Sequence, residues 1–187
     1  MTDVTVRRPR AEDRDALLAL YTVSIVDAFE REGVGDETEE INKMIAQKMS
    51  QFDADIASGG KARFFLVAET DGRIVGAACH GPCSDLICKL ADRDVSAVHE
   101  ISAVYIHPDF QRRGVMKALL RGMLHNMQDK CMAQFCLDSG FQIAVSVWTH
   151  IFGVPSVVAK NYWGEGFDHC VWFRDIEDVL NSGLWST

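Results

Sequence analysis

The sequence lacks the features that would place a protein on nucleic acid or in a membrane. It has no cationic excess, because 27 acidic residues outnumber 19 basic ones and the net charge is −8. A duplex-binding protein needs a cationic surface, so we expect no nucleic-acid partner. No lysine-rich tail suggests binding to a membrane surface, and the N-terminal segment has no apolar run typical of a signal peptide. We therefore expect a cytoplasmic protein without a membrane partner.

The chain also lacks internal repeats and low-complexity linkers. Its 187 residues match the usual length of one domain, about 100–200 residues. The hydrophobic fraction of 48% and the charged fraction of 25% are average for a globular protein, which excludes a disordered chain, a collagen and a coiled coil. We predict a single domain over residues 1–187.

Paired C-x-x-C motifs of the zinc-binding kind are missing as well. Three of the six cysteines, Cys79, Cys83 and Cys88, lie close to His80, but no second pair follows them. Structural zinc sites normally need two such pairs, so we expect no metal. Without an export signal, reduced and buried thiols are the expected state of the cysteines.

What the sequence does contain is an alternation of strand and helix patterns. Period-two alternation and β-branched runs predict strands at 4–7, 63–69, 73–79, 100–106, 142–148 and 169–174. Helical spacing of apolar residues predicts helices at about 12–31, 41–52, 111–128 and 156–163. Residues 80–97 and the last ten residues have no assignment. The order β-α-α-β-β-β-α-β-α-β predicts an α/β protein with a mixed sheet.

The segment from His99 to Met116 carries the chemical signal. A buried strand leads through a turn containing Pro108 into a helix that is predicted to begin with Gln111-Arg-Arg-Gly114. The first turn of a helix leaves backbone N–H groups without partners and is the positive end of the dipole, so it binds anions. These residues predict a pyrophosphate site. The alternative is an ordinary helix start whose arginines are solvated.

Two motifs resemble the GNAT superfamily of N-acetyltransferases. Val104-Tyr-Ile-His-Pro-Asp-Phe followed by Gln111-Arg-Arg-Gly-Val-Met is similar to the acetyl-CoA signature Gln/Arg-x-x-Gly-x-Gly/Ala. Tyr162-Trp-Gly-Glu-Gly-Phe167 resembles the Tyr-x-x-x-Gly-Phe motif near the C-terminus of the family. The resemblance extends from Val4 to Arg174 and is strongest over residues 99–128.

The resemblance implies a GNAT-like fold and acetyl-CoA as cosubstrate. A mixed central sheet would be flanked by about four helices and splayed between the strands at 100–106 and 142–148, with the pantetheine arm in the gap. The backbone of Val104, Tyr105 and Ile106 would pair with that arm, and an N–H there would hold the thioester carbonyl. The pyrophosphate would be bound by residues 111–117, namely Gln111, Arg112, Arg113, Gly114, Val115, Met116 and Lys117.

The implied reaction is attack of an amine on the thioester, which requires the removal of a proton from the amine. Glu100 matches the strand glutamate that serves as base in members of the family, and a charged residue inside an apolar strand is costly without a purpose. His99 and His107 are the competing bases. Tyr162 matches the general acid that protonates the leaving thiolate. The alternative for Tyr162 is an aromatic packing residue.

The acceptor is expected to be a small-molecule or peptide amine. Between Ala11 and Asn42 there are ten acids and two bases, which suggests a cationic acceptor unless these acids are only solvated helix faces. An acyl-CoA-binding module without catalysis is the competing hypothesis. It is favoured by Met116, where Gly or Ala is usual, and by the absence of the Asn that often contacts pantetheine. A cysteine nucleophile ranks low, and a homodimer is compatible with the sequence.

Overall fold

Seven strands form one sheet in the computed structural model, which describes residues 4–185. The strand order is β1-β2-β3-β4-β5-β7-β6. The strands are β1 (Thr5–Arg7), β2 (Phe64–Thr70), β3 (Arg73–Pro82), β4 (His99–Ile106), β5 (Gln134–Ser139), β6 (Val157–Ala159) and β7 (His169–Asp175). Six helices accompany them: α1 (Arg14–Arg31), α2 (Thr38–Ser58), α3 (Asp85–Leu90), α4 (Val115–Asp129), α5 (Gln142–Phe152) and α6 (Ile176–Leu180). The predicted mixed α/β fold is confirmed.

The chain divides into two compact units. One consists of the residues up to His80 together with Ala103–Met123, and the other of Gly81–Ser102 together with the residues from Leu124 onward. Strand β4 therefore belongs to both units, and the boundary falls between Ser102 and Ala103.

In the first unit, β1 and β3 both pair antiparallel with β2. The β2–β3 hairpin turns at Asp71-Gly72, as the sequence predicted. Position 76 on β3 shows how closely α4 packs here. A Cβ at Gly76 would lie 2.9 Å from a methyl carbon of Ile106 and 2.9 Å from one of Val115. The absence of a side chain at Gly76 therefore lets the first turn of α4 lie directly on the sheet.

In the second unit, β4 begins parallel to β5, with His99 opposite Phe135 and Glu100 opposite Cys136. Strand β7 pairs antiparallel with both β5 and β6. A buried apolar cluster formed by Ile87, Val95, Val98, Cys136 and Val171 contains contributions from α3, β5 and β7. Residues 80–97, which had no assignment from the sequence, therefore supply the helix α3 and part of this core.

Two predictions about the C-terminal half are wrong. Residues 142–148 are not a strand, because they form most of helix α5, and the strand parallel to β4 is β5. Residues 156–163 are not a helix, because they contain β6 and the turn after it. Arg174 helps to hold the chain in this conformation. Its guanidinium donates to the carbonyls of Phe152 and Val154 and to the Ser156 hydroxyl, which fixes the chain between α5 and β6.

No helix within residues 4–185 is long and apolar enough to cross a membrane. The uncharged stretch Ser139–Ala159 contains α5, which ends at Phe152.

Candidate functional site

The turn between β4 and α4 has an unusual backbone. Gln111 is extended, while Arg112 and Gly114 have positive φ angles of 60° and 83°. Helix α4 begins at Val115. The amide of Ala118 donates a hydrogen bond to the carbonyl of Gly114, at 3.0 Å. The predicted helix start at Gln111 was therefore four residues early, because residues with positive φ cannot continue a right-handed helix.

This geometry suits an anion. Backbone N–H groups in the first turn of a helix have no partner within the helix, and turns that mix left-handed and right-handed residues form concave sites lined by N–H groups. A Cβ at Gly114 would meet no atom within 4 Å, so the surface above this turn is open. Arg112 and Arg113 are exposed beside it. The turn therefore combines a helix N-terminus, whose first amides have no partner within the helix, with two cationic side chains.

The side chain of Gln111 holds the turn in place. Its amide oxygen accepts a hydrogen bond from Arg31 of α1 at 3.2 Å, and its amide nitrogen donates to the carbonyl of Ile106 at 3.5 Å. Gln111 thus connects α1, the end of β4 and the turn. Its side chain positions the backbone around it.

The remaining predicted pyrophosphate residues differ in what they expose. Val115 is buried, with 1% of its surface accessible. Met116 and Lys117 are half-buried. Val115 therefore packs into the protein at the start of α4, whereas Met116 and Lys117 are partly open to solvent.

Strand β4 is interrupted at Ala103, which has a positive φ of 51° inside the strand. A non-glycine residue in this conformation costs roughly 1–3 kcal/mol and re-aims the neighbouring backbone groups, and such residues cluster at functional sites. Val104, Tyr105 and Ile106 follow directly. The Tyr105 side chain packs edge-on against Tyr21, at 5.5 Å between ring centroids, and its hydroxyl donates to the sulfur of Met44. The side chain of Tyr105 is therefore engaged within the first unit.

Glu100 lies near the start of β4 and is 6% exposed. One carboxylate oxygen accepts the backbone N–H of Ser84 at 2.7 Å, and Ser84 is the residue that caps α3. A short N–H donor stabilises the ionised carboxylate, which is the form that a base requires. This partner could not be predicted, because residues 80–97 had no assignment.

The two competing histidines lie on either side of this position in the chain. His99 is half-buried and lies opposite Phe135 of β5. Arg73 lies 2.8 Å from Nε2 of His107. Since a guanidinium only donates, Nε2 of His107 accepts that hydrogen bond and is not free to take a proton from a substrate.

Tyr162 lies in the turn after β6, with 45% of its surface exposed. Several hydrogen bonds shape this turn. The amide of Asn161 donates to Asp168, and the side-chain oxygen of Asn161 accepts from the amide of Gly166 at 2.8 Å. Lys160 forms an ion pair with Asp168 and, together with the bond from Asn161, lowers the pKa of that carboxyl group.

A chain of three polar side chains supports the same turn, and no sequence pattern predicts it. The indole N–H of Trp163 donates to Nδ1 of His169 at 3.0 Å. Nε2 of His169 therefore carries the proton and donates to Asp138, also at 3.0 Å. The ring of Tyr162 lies 4.9 Å from Trp163 and 5.8 Å from His169, measured between centroids. Asp138 belongs to β5, so no role could be suggested for it while that strand was unrecognised.

Within residues 4–185, no group of three or more His, Cys, Asp or Glu side chains is arranged to hold a metal ion. The cysteines there are free thiols.

Comparison with known proteins gives a family and a fold. The model of the acetyltransferase (GNAT) family matches residues 22–154, which is well over half of the chain. The matched range includes Glu100 and the turn between β4 and α4, and it ends before Tyr162. No curated protein matches the sequence.

Solved structures share the fold at low sequence identity. The PaiA N-acetyltransferase from Thermoplasma acidophilum, in complex with coenzyme A, is 17% identical with a TM-score of 0.68, covering 92% of this chain and 99% of that one. An N-acetyltransferase from Staphylococcus aureus Mu50 is 16% identical with a TM-score of 0.67 and coverages of 94% and 99%. A GNAT superfamily phosphinothricin acetyltransferase from Sinorhizobium meliloti, in complex with acetyl-CoA, is 18% identical with a TM-score of 0.66 and coverages of 94% and 89%.

Proposed function

Because this chain belongs to the GNAT family of acetyltransferases, we propose that it transfers an acetyl group from acetyl-CoA directly to an amine acceptor. The observation that carries the proposal is the turn between β4 and α4, where Arg112 and Gly114 adopt positive φ at the N-terminus of a helix. The fold is shared with proteins that were crystallised with coenzyme A or acetyl-CoA. The acceptor is expected to be a small-molecule or peptide amine, and the cytoplasmic location and a homodimer stay predictions from the sequence.

In this proposal the cosubstrate is held mainly by backbone groups. The amides of residues 112–117 bind the pyrophosphate, with Arg112, Arg113 and Lys117 adding positive charge, while Gln111 keeps the turn in place. The backbone of Val104, Tyr105 and Ile106 pairs with the pantetheine arm. The interruption of β4 at Ala103 supports a role for the amide of Val104 at the thioester carbonyl, where negative charge develops during attack.

Glu100 is proposed as the base that takes the proton from the acceptor amine. A protonated amine is no nucleophile, and its usual pKa of about 10 means that it must lose a proton at neutral pH. The Ser84 N–H orients the carboxylate of Glu100, which in this proposal takes the proton directly or through an intervening water.

Tyr162 is proposed as the acid that protonates the departing thiolate. Replacing Tyr162 by Phe should lower kcat by about 100-fold, at the lower end of the range for general acid catalysis, while the KM for acetyl-CoA stays unchanged. The edge-on contact with Trp163 survives, because only the hydroxyl is removed. Steady-state kinetics and the thermal midpoint of the variant measure both effects. An unchanged kcat in Tyr162→Phe would contradict the role as acid and leave Tyr162 a packing residue.

The acceptor is proposed to be cationic. Asp36, Glu37, Glu39 and Glu40 are exposed in the loop before α2 and in its first turn. Acids in the first turn also complement the helix dipole, so a purely structural role competes with a role in attracting the acceptor. The dependence on salt distinguishes the structural role from the attraction of the acceptor. At 0.15 M salt the Debye length is about 8 Å, so attraction over longer distances is screened.

Changing these four residues to Asn and Gln should raise the acceptor KM several-fold at low salt and flatten its dependence on ionic strength. The KM for acetyl-CoA should not change. A matched control neutralises four other exposed acids, Asp92, Asp94, Glu177 and Asp178, which makes the net charge less negative to the same extent. If both variants behave like the parent, the acidic segment is only solvated surface.

The competing function is that of an acyl-CoA-binding module without catalysis, and Met116 in the place of a small residue is the observation in its favour. A screen that measures CoA release with amines, amino acids, polyamines, aminoglycosides and peptides separates the two. Acceptor-dependent release supports the enzyme. Binding of acetyl-CoA without release on any acceptor supports the module.

A further inference from the structure

Two cysteine thiols face each other in the second unit. The sulfur of Cys83, just after β3, lies 3.4 Å from the sulfur of Cys136 on β5. Cys83 is half-buried, whereas Cys136 is fully buried. Neither thiol has a part in the acetyl transfer proposed above, so their close contact calls for a separate account.

The surroundings give the two thiols different reactivity. As a thiol, Cys83 donates to the carbonyl of Val98 at 3.2 Å. Once deprotonated, its sulfur accepts a hydrogen bond from Cys136, and this bond lowers the pKa of Cys83. The same bond, together with burial, raises the pKa of Cys136. Cys83 is thus the better nucleophile and the more accessible thiol, while Cys136 is a protonated neighbour within reach.

The distance between the sulfurs is short enough for a covalent bond to form after a small movement. A disulfide has an S–S length of about 2.05 Å, so the sulfurs must approach by roughly 1.4 Å. Cys83 follows the last residue of β3 and precedes α3, so it lies on a connecting segment that is able to shift more readily than the buried strand β5.

We propose that Cys83 and Cys136 form a reversible disulfide when the protein meets a peroxide. The Cys83 thiolate attacks one oxygen of the peroxide, breaks the O–O bond and becomes a sulfenic acid, while the other oxygen leaves as hydroxide. The thiol of Cys136 then attacks the sulfenic sulfur, and its proton leaves with the sulfenic oxygen as water. The proton that Cys83 released when it became a thiolate neutralises the hydroxide. Two electrons pass from the two sulfurs to the peroxide, and a dithiol reverses the reaction by exchange.

The disulfide changes the surroundings of Glu100. Ser84, whose N–H binds the Glu100 carboxylate, is the residue next to Cys83. Cys136 is the residue opposite Glu100 in the β4–β5 pair. Pulling Cys83 toward Cys136 displaces the Ser84 N–H from the carboxylate, so oxidation lowers turnover. This consequence rests on the proposed role of Glu100, whereas formation of the disulfide does not.

Mass spectrometry tests the bond itself. The full-length reduced protein is treated with hydrogen peroxide, its remaining thiols are alkylated under denaturing conditions, and its peptides are mapped. We expect a linked Cys83–Cys136 peptide pair that dithiothreitol converts back into two thiols. The inference is overturned if Cys83 stays a thiol, or if it reaches the sulfinic acid while Cys136 is still alkylated.

Variants and activity provide the second test. In Cys83→Ser, peroxide should leave Cys136 fully alkylatable, and in Cys136→Ala, Cys83 should advance to the sulfinic acid. Cys131→Ser removes an exposed thiol and should retain the link. Turnover of the parent should fall at least fivefold on oxidation, recover with dithiothreitol and stay constant in Cys83→Ser. A linked protein with unchanged turnover refutes the effect on Glu100, and a reduced protein without any turnover refutes the proposed enzyme without affecting the mass result.

Discussion

Replacing Glu100 by glutamine should lower turnover by roughly 10²–10⁴-fold, the range that a general base contributes, while the affinity for acetyl-CoA changes little. The change preserves the shape of the side chain and an oxygen that accepts the Ser84 N–H, so the start of α3 stays in place. Only the ability to take a proton is lost. Steady-state rates at saturating acceptor and the thermal midpoint with and without acetyl-CoA provide the measurements.

The control for this prediction makes the same chemical change at an exposed position. Glu177 of α6 is exposed, and Glu177→Gln should leave turnover as in the parent. The pH profile adds a second criterion. The kcat/KM of the parent should fall as the pH is lowered, because its base becomes protonated, and this decrease should be absent in Glu100→Gln. Parent-like turnover in Glu100→Gln excludes Glu100 as the base and transfers the role to His99.

Gly114→Glu should abolish the stabilisation of the protein by acetyl-CoA. At a ligand concentration of 100 times Kd, a cosubstrate that binds only the folded state adds about 2.7 kcal/mol. For a chain of this length that raises the thermal midpoint by roughly 5–10 °C. A glutamate at position 114 places negative charge and bulk where the pyrophosphate is expected, so the shift should vanish.

Two further variants separate charge from backbone strain. Gly59 also has a positive φ, of 59°, and a Cβ there would also meet nothing within 4 Å. Gly59→Glu should therefore lower the midpoint of the free protein, since a non-glycine residue in the left-handed conformation costs about 1–2 kcal/mol, yet respond to acetyl-CoA like the parent. Gly114→Ala should keep a reduced response. A full shift in folded Gly114→Glu would place the cosubstrate elsewhere.

The first 128 residues were largely predictable because their patterns are long and their turns carry glycine. Helices α1, α2 and α4 bury stripes at helical spacing, and the β2–β3 hairpin turns at Asp-Gly. The start of α4 was missed because Arg112 adopts a left-handed conformation, which an arginine does not signal in a sequence.

The C-terminal half was harder for a physical reason. The β-branched run in 142–148 suggested a strand, yet the buried residues of α5 are Trp148 and Phe152, four apart as in a helix. The true strand β5 has only a short apolar run, Phe135-Cys136-Leu137, which a helix segment would also show. In both segments, tertiary contacts determine the secondary structure more than the local sequence pattern does.

Some residues of the candidate site were predictable from the sequence and others were not, for a similar reason. Glu100 and residues 111–117 could be proposed from the sequence because they lie on one continuous strand, turn and helix with a family signature. The partners Ser84, Asp138 and His169 come from segments that are distant in sequence, and nothing in local spacing points to them. Sequence patterns specify the residues on one element, whereas hydrogen-bonded partners on other elements require the fold.

The contact at Gly76 limits how this protein is able to vary. Position 76 carries no functional group, yet even one added methyl group would press on Ile106 at the end of β4 and on Val115 in the first turn of α4. Both neighbours belong to the segment proposed to bind acetyl-CoA. Mutational libraries aimed at a new acceptor should therefore keep Gly76 fixed, since a change in its side chain would be transmitted to cosubstrate binding although it touches no ligand.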